Sequence, residues 1–216
     1  MGMIKRRHRR YFEYIFIKTL NAGRTFMFQN KRFRYFYGVY NNTWKNERAV
    51  EIPVLRHMLK QYDNTDILEV GNVLGHYFTV NHTVVDKYEK GPRIINEDIV
   101  DFHPGRKYSL IFSISTMEHV GYDENVKDRL KILRGINNMK SLLKDKGKIV
   151  LTFPLGYNPS LDQLVKNGNI GFSQVYYLKR LSQNNRWAEG TRHDIQNAKY
   201  RSPFPGGNVL VIGVIY

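Results

Sequence analysis

The residues best suited to chemistry gather in one short segment, Glu69-Val70-Gly71-Asn72-Val73-Leu74-Gly75. It closes an apolar run, which places it at the carboxyl end of a strand. Gly71 can take the positive φ of a tight turn, and Gly75 permits close backbone approach to a ligand. Asp86 stands fifteen residues beyond Gly71, at the end of the next apolar run. A carboxylate there can accept two hydrogen bonds from the hydroxyls of a ribose. A dinucleotide fingerprint starting at Gly71 would want glycine where Val73 and His76 stand, so a nicotinamide oxidoreductase is disfavoured. A phosphate-cradling Gly-x-x-x-x-Gly-Lys-Ser/Thr loop is absent. There is no cysteine, which excludes disulfides, thiolate nucleophiles, Cys-ligated zinc and iron–sulfur clusters. The seven His are scattered with no ligand set around them, so no metal is expected.

Strands and helices in alternation would position these groups. Apolar runs bounded by turn residues predict strands at 66–71, 83–86, 93–96, 108–115 and 148–153. A helix is expected over 47–61, with Pro53 in its early turns or at a kink. A longer amphipathic helix is expected over 124–143, closed by Lys144-Asp145-Lys146-Gly147. This pattern predicts an α/β fold with a largely parallel sheet covered on both faces. Residues 175–181 and 208–216 read as strands with no helix between them, an antiparallel pair at one sheet edge. Ligands bind such sheets beyond the carboxyl ends of the strands, where Gly71 and Asp86 fall.

The chain has 216 residues, 42% apolar and 25% charged, with a net charge of +15. Its length supports one globular domain. Fifteen Tyr, 12 Phe and 2 Trp rule out low-complexity disorder. No apolar run reaches the roughly 18 residues of a spanning helix. Residues 1–45 carry eleven Lys and Arg against one acid, Glu13, which is +10 of the total. Aromatic residues interleave with these charges. Residues 24–40 alternate as paired strands do, predicting a hairpin that turns at Gln29-Asn30. The expected division is a basic-aromatic extension over 1–45 and one domain over 46–216. The extension suits an anionic membrane surface, RNA phosphates or an acidic substrate. A solvated basic face with the aromatics packed beneath it accounts for the same residues.

Taken in order, five segments resemble the motifs of the class I S-adenosylmethionine-dependent methyltransferases. The family's acidic-x-Gly-x-Gly-x-Gly segment is matched by Glu69, Gly71 and Gly75, with Val73 in place of the middle glycine. Its acidic residue at the end of the second strand falls on Asp86. Its third segment is similar to Asn96-Glu97-Asp98-Ile99, and its fourth to Ser113-Ile114-Ser115-Thr116-Met117-Glu118-His119. Leu142-Leu143-Lys144-Asp145-Lys146-Gly147 stands where the family has a Leu-Leu-Lys-x-Gly-Gly turn. The resemblance implies a seven-stranded, mostly parallel sheet with helices on both faces and an antiparallel C-terminal strand pair.

It also implies S-adenosylmethionine as cofactor and S-adenosylhomocysteine as product. By position, Gly71, Asn72 and Gly75 would form the loop under the methionine part. Glu69 would stabilise that loop or the cofactor amino group. Asp86 would hold the ribose, Asp98 the adenine amino group, and Ile99 the adenine ring. Ser115 would face the methionine end, and Arg48 would close over the cofactor carboxylate. His119 is the candidate catalytic base, since an imidazole titrates near neutral pH. Glu118, Tyr157, Asn158 and Trp187 are the candidate substrate-side residues.

The acceptor is narrowed by exclusion. Cytosine C5 methylation needs a cysteine, and adenine amino methylation usually shows Asp/Asn-Pro-Pro-aromatic where this chain has Ser115-Thr116-Met117-Glu118. The first expectation is O-methylation of a small-molecule or glycan-type acceptor, as in polysaccharide biosynthesis. An RNA methyltransferase using residues 1–45, and a non-catalytic methyltransferase-like module, are the alternatives. The expected location is cytoplasmic, with peripheral membrane contact through 1–45.

Overall fold

The computed structural model describes the backbone of residues 2–216 and the side chains from residue 11 onward. The side chains of Lys5, Arg6, Arg7, Arg9 and Arg10 thus lie outside the described residues. From the amino end, helix α1 (Gly2–Leu20) leads to strands β1 (Thr25–Phe28) and β2 (Lys31–Arg34), an antiparallel hairpin. Gln29 and Asn30 turn it with φ of 51° and 58°, the left-handed pair that matches hairpin twist. The turn falls where the alternation predicts it.

Helix α2 (Arg48–Leu59) follows, with Pro53 inside it. A proline there has no N–H for the Ala49 carbonyl. The Phe36 N–H takes that place at 2.9 Å, tying the chain after the hairpin to the helix. The remaining strands are β3 (Ile67–Val70), β4 (Thr83–Val85), β5 (Ile94–Ile95), β6 (Tyr108–Ile114), β7 (Leu143–Pro154), β8 (Gln174–Arg180), β9 (Trp187–Gly190) and β10 (Val209–Ile215). They form one sheet in the order β5-β4-β3-β6-β7-β10-β8-β9. β5, β4, β3, β6 and β7 pair in parallel, while β10 lies antiparallel to both β7 and β8.

The expected seven strands are therefore eight. The extra one, β9, pairs antiparallel with β8 at the edge. Its four residues include Ala188 and Gly190, and carry too little strand signal to be read alone. The expected helix over 124–143 is also shorter: α3 spans Lys131–Ser141. Side chains upstream bond the backbone locally instead. Glu124 accepts from the Gly121 N–H, and Asp128 from the Leu130 N–H. Such bonds offer the chain an alternative to helix. Lys144–Gly147 is an irregular start to β7, where the register with β6 shifts, rather than a helix-closing turn. Helix α4 (Pro159–Lys166) was unforeseen, although Asn158 caps it and Pro159 opens it.

Alternation along the strands divides the core into two layers. Leu68, Ile111, Leu151 and Val211 face α3 and α4, meeting Ile136, Met139 and Leu161. Ile67, Phe112, Val150 and Ile212 face α2 and the hairpin, meeting Val50, Leu55, Phe26, Phe28 and Tyr35. The hairpin thus fills a layer that a helix would otherwise occupy. Phe26, Phe28, Tyr35 and Trp44 are core, Phe33, Phe36 and Tyr37 are partly buried against it and Tyr40 is exposed; the solvated-face expectation holds for β2, whose Lys31, Arg32 and Arg34 are exposed.

Candidate functional site

A cavity of about 330 Å³ opens at the carboxyl ends of β3, β4 and β6. Gly71, Asp86, Lys87, Tyr88, Asp98, Ile99, Thr116, His119 and Asp123 are among its walls. Five of the residues read from the sequence therefore meet in one place: Gly71, Asp86, Asp98, Ile99 and His119.

Gly71 makes the turn out of β3 with φ +85°, and a Cβ there would lie 2.2 Å from Thr116 Oγ1. Only glycine fits, both for the left-handed backbone and for the approach of β6's end. Glu69 is fully buried below. Its Oε1 accepts from the Val73 and Leu74 N–H groups at 2.9 and 2.8 Å, and its Oε2 meets His82 Nε2 at 2.7 Å. Glu69 thus holds the loop and does not line the cavity. Asn72 gives its N–H to Asp86 Oδ2 at 3.0 Å and its amide to Glu89 at 2.7 Å. Gly75 lies against Asn72, whose Oδ1 a Cβ would meet at 2.2 Å. Both residues shape the loop and neither is in the cavity wall.

Asp86 Oδ1 accepts from the Tyr88 and Glu89 N–H groups, each at 2.8 Å. Its Oδ2 takes only the Asn72 bond, and a carboxylate oxygen can accept two. That leaves acceptor capacity at the cavity wall for one hydroxyl. Asp98 is paired to Lys87 at 3.0 Å and Lys131 at 2.7 Å. Burial would raise its carboxyl, but the Lys131 ammonium, the Val100 N–H and Lys87 outweigh it and hold it below the usual range.

Ser115 and Arg48 are corrected by the structure. Ser115 has φ +35°, an uncommon value for a residue with a side chain. The kink directs its Oγ to Glu51 Oε1 at 2.6 Å, and Thr116 lines the cavity in its place. Arg48 bonds Glu51 at 3.0 Å and the Ser115 carbonyl at 3.2 Å. Both serve a buried cluster behind the site rather than the cavity. Glu118 joins that cluster at 2% exposure, and its Oε2 has no hydrogen-bond partner. Burial pushes its carboxyl well above the ordinary value, and burial likewise raises Glu51.

On the rim, His119 Nδ1 lies 2.5 Å from Asp123 Oδ2. Tyr157 donates its hydroxyl to the same oxygen at 2.6 Å, and its ring meets the imidazole edge to face at 4.8 Å. Tyr122 and Tyr200 pack edge-on against Tyr157 at 5.8 and 5.0 Å. Partial burial would raise Asp123, but the Tyr157 and His119 bonds outweigh it and hold the carboxyl low. Burial and the Asp123 carboxylate keep the Tyr157 phenol protonated far above its usual range. Asp123 escaped the sequence reading. Its signal is its place four residues after His119, a spacing that can bring a carboxylate beside an imidazole.

Asn158 and Trp187 are corrected too. Asn158 is 3% exposed; its Oδ1 caps α4 and its amide donates to the Glu118 carbonyl at 2.9 Å. It positions the turn that bears His119. Trp187 is 4% exposed in the layer under the hairpin, with its indole N–H on Asn185 and its backbone N–H on Tyr35 Oη. It has no free face for an acceptor.

The cavity's charge is opposite to that of the chain. Asp86, Glu97, Asp98, Asp123 and Glu124 line it against one lysine, Lys87, in a protein of net charge +15. Such walls favour a cationic ligand and oppose a pyrophosphate. Among the described residues no group of three His, Asp or Glu is placed to hold a metal ion.

No family model matches the chain, and no curated protein does. Among solved structures, it is similar to the N-methyltransferase NodS from Bradyrhizobium japonicum in complex with S-adenosylhomocysteine. There the identity is 13% and the TM-score 0.46, over 78% of this chain and 85% of that one. A TehB-like S-adenosylmethionine-dependent methyltransferase from Corynebacterium glutamicum matches at 15% identity and TM-score 0.41, over 74% and 84%. The sugar N-methyltransferase KedS8 from a Streptoalloteichus species matches at 10% and 0.35, over 73% and 83%. The strand order, the antiparallel β10 and the glycine turn closing β3 agree with the architecture that the sequence resemblance implies, with an eighth strand at one edge.

Proposed function

We propose that the chain is an S-adenosylmethionine-dependent methyltransferase that methylates a hydroxyl of a small-molecule or glycan-type acceptor. The acidic cavity at the strand ends carries this reading. It is of a size for a nucleoside-bearing ligand. Its walls fit the cofactor's charges: the molecule carries a sulfonium and an ammonium, and Asp86 keeps acceptor capacity for a ribose hydroxyl. Ile99 offers an apolar surface for the adenine.

When bound, the cofactor supplies a methyl group already activated on positively charged sulfur. What remains for the protein is alignment, exclusion of water and removal of one proton. Asp123 at Nδ1 selects the imidazole tautomer with the proton there, leaving Nε2 as the acceptor. His119 Nε2 takes the acceptor's hydroxyl proton as the oxygen gains its methyl. Asp123 then stabilises the imidazolium. Tyr157, Tyr122 and Tyr200 provide apolar ring faces at this rim, suited to a sugar or an aromatic ring.

Calorimetry tests the cofactor. S-adenosylmethionine and S-adenosylhomocysteine should bind the wild type, and NAD should not. Asp86→Asn should weaken binding by about 1.5–3 kcal/mol, the range for a hydrogen bond to a charged group. Asp86 also ties its own loop, so Val120→Phe serves as a second variant. It narrows the cavity and leaves those backbone bonds alone, and should weaken binding as well. Wild type that ignores both adenosyl ligands, or prefers NAD, overturns the reading.

A further inference from the structure

Helix α1 divides lengthwise into a docked side and a bare one. On the docked side Glu13 pairs with Lys45 at 2.5 Å, and the Tyr14 ring packs on Trp44 with centroids 5.8 Å apart. On the other side Tyr11, Phe12, Ile15 and Phe16 are 54, 69, 43 and 65% exposed. Their spacing puts them on one face of the helix. This is the opposite of packed aromatics beneath a solvated basic face. Four large apolar groups in water within about two turns need a cover.

We propose that this face of α1 lies on an anionic lipid surface and seats the protein there. The neighbouring charge chooses the occupant. Positions 5, 6, 7, 9 and 10 of the same helix are Lys or Arg, Lys18 is exposed, and the 1–45 segment holds +10. Apolar burial together with basic charge is what holds an amphipathic helix in the headgroup layer. A second copy of the chain would bring two such basic segments together, at a Coulombic cost. RNA would use the charge and stack on the aromatics, but Ile15 offers nothing that a base recognises. No helix among the described residues is long and apolar enough to cross a membrane, so the contact is with the surface.

The helix is also placed to matter for the site. Trp44 and Lys45, on which it docks, lead directly into Arg48, whose guanidinium holds the Ser115 carbonyl at the carboxyl end of β6. α1 therefore sits toward the end of the sheet where the cavity opens.

The test is co-sedimentation of the full chain with vesicles of phosphatidylcholine containing about a third phosphatidylserine, at physiological salt. The comparison is Phe12→Ser combined with Phe16→Ser, which keeps the net charge. Wild type should sediment with these vesicles and not with pure phosphatidylcholine. The double variant should bind about tenfold or more weakly, since each lost ring forfeits its apolar transfer. S-adenosylhomocysteine affinity should be equal in both, which separates this result from the cofactor reading. Wild type left in the supernatant overturns the proposal. Equal binding of both proteins also overturns it, assigning the contact to charge alone. So does a salt-sensitive affinity for single-stranded RNA without vesicle binding, or a dimer by light scattering that the variant dissociates.

Discussion

At the scale of single residues, the site depends on a few carboxyl groups in unlike surroundings. Asp123 is held ionised beside His119, while Glu118, one residue before the imidazole, is buried with one oxygen unpartnered. Glu118's carboxyl is raised in the folded chain, so the folded state binds its proton at pH values where the unfolded chain has lost it. Its stabilising contribution is present below the unfolded value of about 4.3 and is lost as pH rises through the folded value. Glu118→Gln removes that loss. The variant should melt higher than wild type at neutral and alkaline pH, by about 2–4 °C for each kcal/mol recovered, and the two should converge in acid. Thermal melts across pH check this. A variant that is less stable at every pH would show that the ionised carboxylate is the form the fold uses.

At the scale of elements, the turn that ends β3 is the tightest constraint in the site. Gly71 has φ +85°, and its missing Cβ is what lets Thr116 approach from the end of β6. Gly71→Ala should cost about 1–2 kcal/mol from the left-handed backbone alone, with the Thr116 clash added. It should also weaken S-adenosylhomocysteine binding, because the two strand ends that frame the cavity must part. Denaturant melts and calorimetry measure the two effects. A Gly71→Ala protein with wild-type affinity would mean that this turn does not shape the proposed cofactor cavity. Between β3 and β4 stands only a single helical turn, Leu74–His76. The loop therefore relies on Glu69 and Asp86, where a full helix would have supplied its own backbone bonds.

At the scale of the whole molecule, the first 45 residues are not one appendage. Residues 2–20 form a helix that touches the remainder on one side, whereas Phe26, Phe28 and Tyr35 are buried against α2 and the sheet. A chain starting at residue 21 should stay folded and keep the proposed cofactor site. A chain starting at residue 46 should fail to fold, because Val50, Leu55 and Trp187 lose the aromatics that cover them and Ala49 loses the Phe36 N–H. Circular dichroism melts of the two chains decide it. A cooperative melt of the shorter chain at the wild-type temperature would make the hairpin dispensable.

Much of the sheet was legible because local letters determine it. A buried strand is mostly apolar, and Ile67–Val70 and Tyr108–Ile114 read that way in isolation despite Glu69, Ser109 and Ser113. Gly71 and Asp86 were legible for a similar reason: a positive φ and an acidic strand end each demand one kind of residue. Five cavity residues follow from position along these strands. The rest depended on contacts between distant parts of the chain. Trp187 is core because Tyr35, far away in sequence, reaches its backbone N–H, and β9 exists because β8 pairs with it. Ser115 and Arg48 turn from the cavity to Glu51 because a buried carboxylate must find partners. Residues 11–40 mix basic and aromatic side chains from end to end, and composition does not distinguish the bare face of α1 from the buried rings of the hairpin. Only packing decides which aromatic rings meet the core and which are left for another surface, because burial is set by what lies opposite a side chain rather than by the side chain itself.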